Sequence, residues 1–215
     1  ATPILHLELE RGDQILSEPG KMIYMDDTIS MNTKAEGGLM SSVKRSFSGE
    51  SFFLTEFEAE DKGAVHFSPS IPGDIVHIEV DEGKSVLTQE DAVICSLNGN
   101  IKPGYSKSLA GGFLGGHGFK FTKLEGPENA FIAAGGEVSK VKLGEGEKLK
   151  IDTGCLVAFE ESMNHSAEKV GGLKNSLFGG EGLFLTTIEG PGQVWIQSMP
   201  IQELALELSS YIPTQ

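Results

Sequence analysis

The chain repeats one pattern three times, and this limits its fold more than any other feature. Gly12, Gly83 and Gly146 anchor the copies. Before them stand Leu5, Leu7 and Leu9, then Val76, Ile78 and Val80, then Val141 and Leu143, superposing without gaps. Polar residues alternate with these: His6 and Glu8, His77 and Glu79, Lys140 and Lys142. Such period-two alternation describes strands with one buried face. The register continues past the anchors in Ile15-Leu16, in Val86-Leu87, and in Leu149 with Ile151. Ten residues beyond each glycine comes a second apolar run: Met22-Ile23-Tyr24, Val93-Ile94-Cys95 and Leu156-Val157-Ala158.

A further block recurs downstream as GESFFLT (49–55), GHGFKFT (116–122) and GEGLFLT (180–186). Each block leads into another short strand, at 64–67, 130–133 and 194–197. The expectation is an all-β protein of three pseudo-repeats, approximately residues 5–70, 71–135 and 136–200, within a single domain over 1–215. Short strands cut by Gly-rich turns suggest a sandwich or barrel. The 28 glycines are about twice the usual ~7% share and have no collagen period, so they mark turns. The C-terminus departs from this pattern. Ile201, Leu204, Ala205, Leu208, Tyr211 and Ile212 fit helical spacing, with Pro200 at the start and Pro213 at the stop. Leu204, Leu206 and Leu208 also alternate, which keeps a strand open; the reading adopted is a short helix packed against the β core.

Charge and cysteine usage exclude several functions. The net charge is −14, from 17 basic and 31 acidic residues. Nucleic acid demands clustered Lys and Arg, and Lys44-Arg45 is too small a cluster, so no nucleic-acid partner is expected. Cys95 and Cys155 lie in apolar runs, in neither a redox nor a metal spacing, and read as buried free thiols of a reducing compartment. No apolar stretch has the length of a membrane span, and the N-terminus lacks a secretory or transit pattern. The expected location is cytoplasmic.

Three motifs invite chemical readings, and the repeat register answers each. Asp152-Thr153-Gly154 is the triplet of aspartic proteases, but it aligns with Glu18-Pro19-Gly20 and Gln89-Glu90-Asp91, all turn-forming. Gly83-Lys84-Ser85 resembles the end of a phosphate loop, but a strand follows it and Glu79, Asp81 and Glu82 precede it. His6-x-Glu8 and His77-x-Glu79 place His beside Glu on a polar face, yet the third copy has lysines there. No catalytic set emerges, and no enzyme activity or cofactor is expected.

The Gly-rich segments hold the remaining candidates. Phe47, Leu114 and Phe178 share a register position, and with Phe113 and Leu177 they are candidate interface residues. Glu50, His117 and Glu181 share the position after the block glycine and are candidate metal or ligand residues.

The phrases GGFLGGHGFKF (111–121), DTGCLVAF (152–159), GGLKNSLFGGEGLFLTT (171–187) and GPGQVWIQS (190–198) resemble the altered-inheritance-of-mitochondria family. The resemblance runs from about residue 5 to 205. It implies a fold similar to the tryptophan RNA-binding attenuation protein, as tandem β-sandwich or double-stranded β-helix repeats. It implies no catalytic residues, and its mitochondrial members are linked to inner-membrane organisation. The functional expectation is a non-enzymatic interaction or scaffold protein, a homo-oligomer with a protein partner or a membrane surface. The alternative is a small-molecule or metal binder with a pocket between repeats.

Overall fold

A computed structural model describes residues 2–35, 53–105, 120–170, 183–209 and 211. The first third of the chain forms β1 (Leu5–Leu9), β2 (Gln14–Ser17), β3 (Met22–Met25), β4 (Ile29–Ala35), β5 (Phe53–Ala59) and β6 (Gly63–Phe67). The second forms β7 (Gly73–Val80), β8 (Ser85–Gln89), β9 (Val93–Ser96), β10 (Ile101–Tyr105), β11 (Lys120–Glu125) and β12 (Glu128–Gly135). The third forms β13 (Val138–Leu143), β14 (Lys148–Asp152), β15 (Leu156–Glu160), β16 (Asn164–Val170), β17 (Leu183–Glu189) and β18 (Gly192–Gln197). Among the described residues the protein is all-β but for a 3-10 turn at Thr153–Cys155 and one helix, α1 (Ile201–Ser209).

Each third builds the same two antiparallel triplets. The first, sixth and third strands pair in one triplet (β1-β6-β3), and the fourth, fifth and second in the other (β4-β5-β2). Successive repeats then share sheets. The β4-β5-β2 triplet continues through β9 into β9-β12-β7, making six strands. The β10-β11-β8 triplet continues through β15 into β15-β18-β13 in the same way. Among the described residues the sheets do not close into a barrel.

The anchor glycines end the first strand of each repeat by turning at positive φ: 91° at Gly12, 77° at Gly83 and 74° at Gly146. Glycine reaches this region without a Cβ clash, which is why one recurs there. Each repeat has its own apolar cluster, and the first two borrow from the next repeat. Ile94 and Cys95 of β9 join Phe57, Val65 and Phe67 in the first. Val157 and Ala158 of β15 join Ile78, Leu124 and Ile132 in the second. Phe159, Ile188 and Leu156 form the third, together with Leu87 of β8 and Phe121 of β11 from the preceding repeat. Burying each such side chain is worth ~1.5–3 kcal/mol, so these clusters hold the layers together.

The helix corrects one expectation. α1 forms where the spacing placed it, but none of its residues is buried, so it does not pack into the β core. Ile201, Leu206 and Leu208 are half exposed or more, and Leu206 lies off the stripe that Ile201, Leu204 and Leu208 share.

Candidate functional site

The sequence-derived interface candidates Phe47, Phe113, Leu114, Leu177 and Phe178 lie outside the described residues, as do Glu50, His117 and Glu181. They fall between β4 and β5, β10 and β11, and β16 and β17, the same place in each repeat. Among the described residues no three His, Cys, Asp or Glu side chains are grouped to hold a metal ion. The His-Glu pairs are solvated: His6 Nε2 lies 3.6 Å from Glu8, and His77 Nε2 pairs with Asn129 Oδ1 at 3.0 Å.

The protease-like triplet is a capped turn. Asp152 Oδ1 accepts from the Gly154 N–H at 2.9 Å, and Thr153 Oγ1 meets Thr186 Oγ1 at 3.0 Å. The phosphate-loop fragment is likewise a tight turn, carrying the chain from β7 in one sheet to β8 in another, with the Lys84 N–H donating to Asp81 O. Both thiols are free, Cys95 buried and Cys155 half-buried. Burial pushes the Cys95 thiol up to about 12.

The feature that sequence reasoning missed is the unequal fate of one strand. In β9 and β15 every apolar residue is buried, with Ile94, Cys95, Val157 and Ala158 all at 0% exposure. Their equivalents on β3, Ile23 and Tyr24, are 47% and 53% exposed. The cause lies in the topology. β9 pairs on its outer side with β2, and β15 with β8, whereas β3 pairs only with β6 among the described residues. At the other end of the array β14 pairs, among the described residues, only with β17. Among the described residues both strands therefore lie at sheet edges with one side unpaired, and such an edge can recruit another strand. Beside that edge the Tyr24 ring stacks on His66 at 3.9 Å, and His66 is hydrogen-bonded to His6.

The two closed seams are also tied by polar contacts. Ser17 Oγ donates to Ile94 O at 2.7 Å, Lys21 Nζ to Asp91 O at 2.7 Å, and Thr122 Oγ1 to Glu18 Oε1 at 3.0 Å. Burial pushes the Glu18 carboxyl up to about 8, against the Thr122 hydroxyl and the Lys21 cation, which hold it down. At the second seam Gln197 Nε2 reaches Gln89 Oε1 at 3.3 Å, and Lys123 pairs with Glu161 at 2.6 Å.

The family model described as mitochondrial biogenesis AIM24 matches residues 1–199. The chain belongs to this family. An uncharacterized AIM24-like protein of Streptococcus pyogenes serotype M6 is 29% identical over 221 residues, covering 99% of this chain and 88% of that one. A crystal structure of a Streptococcus pyogenes protein, a structural-genomics target, superposes with a TM-score of 0.79 at 26% identity. That alignment covers 98% of this chain and 95% of the other. The AIM24 membership agrees with the family that the Gly-rich phrases resemble. Among the described residues no helix is long and apolar enough to cross a membrane.

A cleft of about 350 Å³ lies where β7 meets β13 and β18, lined by His77, Glu79, Asp81, Lys84, Lys140 and Trp195 among others. Lys140 Nζ sits 5.3 Å from the centre of the Trp195 ring, and the buried indole N–H has no hydrogen-bond partner.

Proposed function

We propose that this AIM24-family protein is a non-enzymatic interaction protein of the cytoplasm that works as an assembly through its free strand edges. The observation that carries the reading is β3, where Ile23 and Tyr24 stand exposed at positions buried in both other repeats. Exposed apolar residues on an unpaired edge are the physical signature of an interaction surface. The two free thiols, with Cys95 wholly buried, suit a reducing compartment.

Light scattering after gel filtration tests this reading. The wild type should run as an assembly at micromolar concentration, and Ile23→Asp should reduce its mass while leaving the circular dichroism of the folded chain unchanged. A wild-type monomer that binds neither itself nor lipid vesicles would refute it.

The inter-repeat cleft supports a second reading, a binder of polar small molecules, because a buried indole N–H without an acceptor is costly unless a guest or water fills it. Trp195 is the only tryptophan, so its fluorescence reports on the cleft directly. Titration with sugars, amino acids and nucleotides that leaves both emission and melting temperature unchanged would remove this reading.

A further inference from the structure

We infer that the partner of the β3 edge is the β14 edge of a second copy, in the register that the chain already uses twice. This rests on the interaction reading above and names the partner of the same edge.

The register is fixed by the two closed seams. Leu16 of β2 stands opposite Ser96 of β9. The equivalent residues, Leu87 of β8 and Phe159 of β15, stand opposite each other at the second seam, flanked by Thr88 with Ala158 and Val86 with Glu160. The Glu161 N–H donates to Ser85 O at 2.9 Å, extending the pairing by one residue. The seams thus follow one rule: the second strand of a repeat receives the third strand of the next.

The same rule carried past the third repeat sets Ile151 of β14 opposite Tyr24, Lys150 opposite Met25, Leu149 opposite Asp26 and Lys148 opposite Asp27. Tyr24 on Ile151 is an aromatic–β-branched pair, among the better cross-strand contacts. Lys148 faces Asp27 directly across the joint, so charge favours β14 on β3. A joint of β14 with itself would instead set lysine against lysine. Asp27 is exposed and accessible to such a partner.

The apolar clusters point the same way. The first borrows Ile94 and Cys95 from the following repeat, and the second borrows Val157 and Ala158. The third has no following repeat. It takes Leu87 and Phe121 from the preceding one, and Ile23 and Tyr24 of another copy are the equivalent residues that would supply the contribution from the following side. Such an interface is heterologous, head to tail, and so yields a closed ring or a growing filament.

Cross-linking tests the register. Met25→Cys and Lys150→Cys are placed in separately tagged chains, each also carrying Cys155→Ser. The Cα atoms of facing residues in an antiparallel joint lie within disulfide reach. Oxidation of the mixture should give a product containing both tags at twice the chain mass, absent when either variant is oxidised alone.

Three results would overturn the inference. Met25→Cys linking to itself would mean a symmetric β3–β3 joint. A chain carrying both cysteines that links only within itself, at every concentration, would mean that the third seam closes internally. The absence of any link, while Ile23→Asp still disperses the assembly, would leave the edge an interaction surface with a different partner. Charge reversal gives an independent check. Asp27→Lys should weaken association several-fold, and mixing it with Lys148→Glu should restore association. Failure to restore it would reject the register.

Discussion

Replacing Glu18 by Gln should make the protein more stable at neutral and alkaline pH than at acid pH, relative to wild type. Glu18 is 5% exposed at the end of β2, and one of its carboxyl oxygens has no partner. Its carboxyl titrates near 4.5 in the unfolded chain and, through burial, near about 8 in the folded one. Below about pH 4 both states hold the proton, and the residue costs nothing. As pH rises through 4.5 the unfolded chain loses its proton while the folded chain keeps it. Stability therefore falls by up to ~1.4 kcal/mol per pH unit until the folded group also ionises near 8. The whole window sets an upper bound of about 5 kcal/mol, most of it between pH 5 and 8. Local relaxation and water entry reduce this, so a loss of ~2 kcal/mol is the working expectation.

Glutamine keeps the volume and an acceptor for the Thr122 hydroxyl but carries no charge. Urea unfolding of both proteins from pH 5 to 8.5 should show their stabilities diverging, with the variant ahead at the alkaline end. At this chain length each kcal/mol moves the melting temperature by ~2–4 °C, so calorimetry should resolve the gap. A pH-independent difference would refute the reasoning. A wild type that gains on the variant as pH rises would also refute it, because that would place an ionised Glu18 in a favourable pair with Lys21.

Three further outcomes follow from named contacts. Gly126→Ala should cost about 3 kcal/mol or more in urea unfolding, because the new Cβ would lie 1.7 Å from the backbone oxygen of Asp81, which has nowhere to go. A loss under ~1 kcal/mol would contradict that packing. Glu128→Ala should destabilise by at least about 3 kcal/mol, since the buried carboxylate accepts from Ser96 Oγ and from the N–H groups of Leu97, Asn98 and Asn100. Glu128→Gln should recover part of this stability. Thiol labelling at pH 8 should be confined to a slow reaction at Cys155, with Cys95 reacting only after unfolding, because its thiol is wholly buried and held near about 12. Two fast thiols in the native protein would count against the burial.

The strands and their threefold recurrence were legible because alternation and turn glycines are local signals. Leu5, Leu7 and Leu9 announce a strand without reference to any other part of the chain. The sharing of sheets between repeats was not legible, since alternation reports which face a residue occupies and not which strand lies alongside. Met22-Ile23-Tyr24 is as apolar as Val93-Ile94-Cys95, so nothing in composition warns that one is exposed and the other buried. Glu18 was read correctly as part of a turn, but its burial was hidden. It depends on Thr122, 104 residues away, closing over it from the next repeat. The helix shows the converse error: its spacing is helical, but spacing alone cannot supply a surface for it to cover.

The sharing of sheets has an arithmetic consequence for how such a molecule can grow. Each repeat offers one donor edge and one acceptor edge, and every internal joint consumes one of each. An array of two, three or ten repeats therefore ends with the same pair of raw edges. Adding copies lengthens the array without ever finishing it. Only closure of the array, within one chain or through several, disposes of the last pair. The cost of leaving it open is the same however many repeats a gene duplication adds.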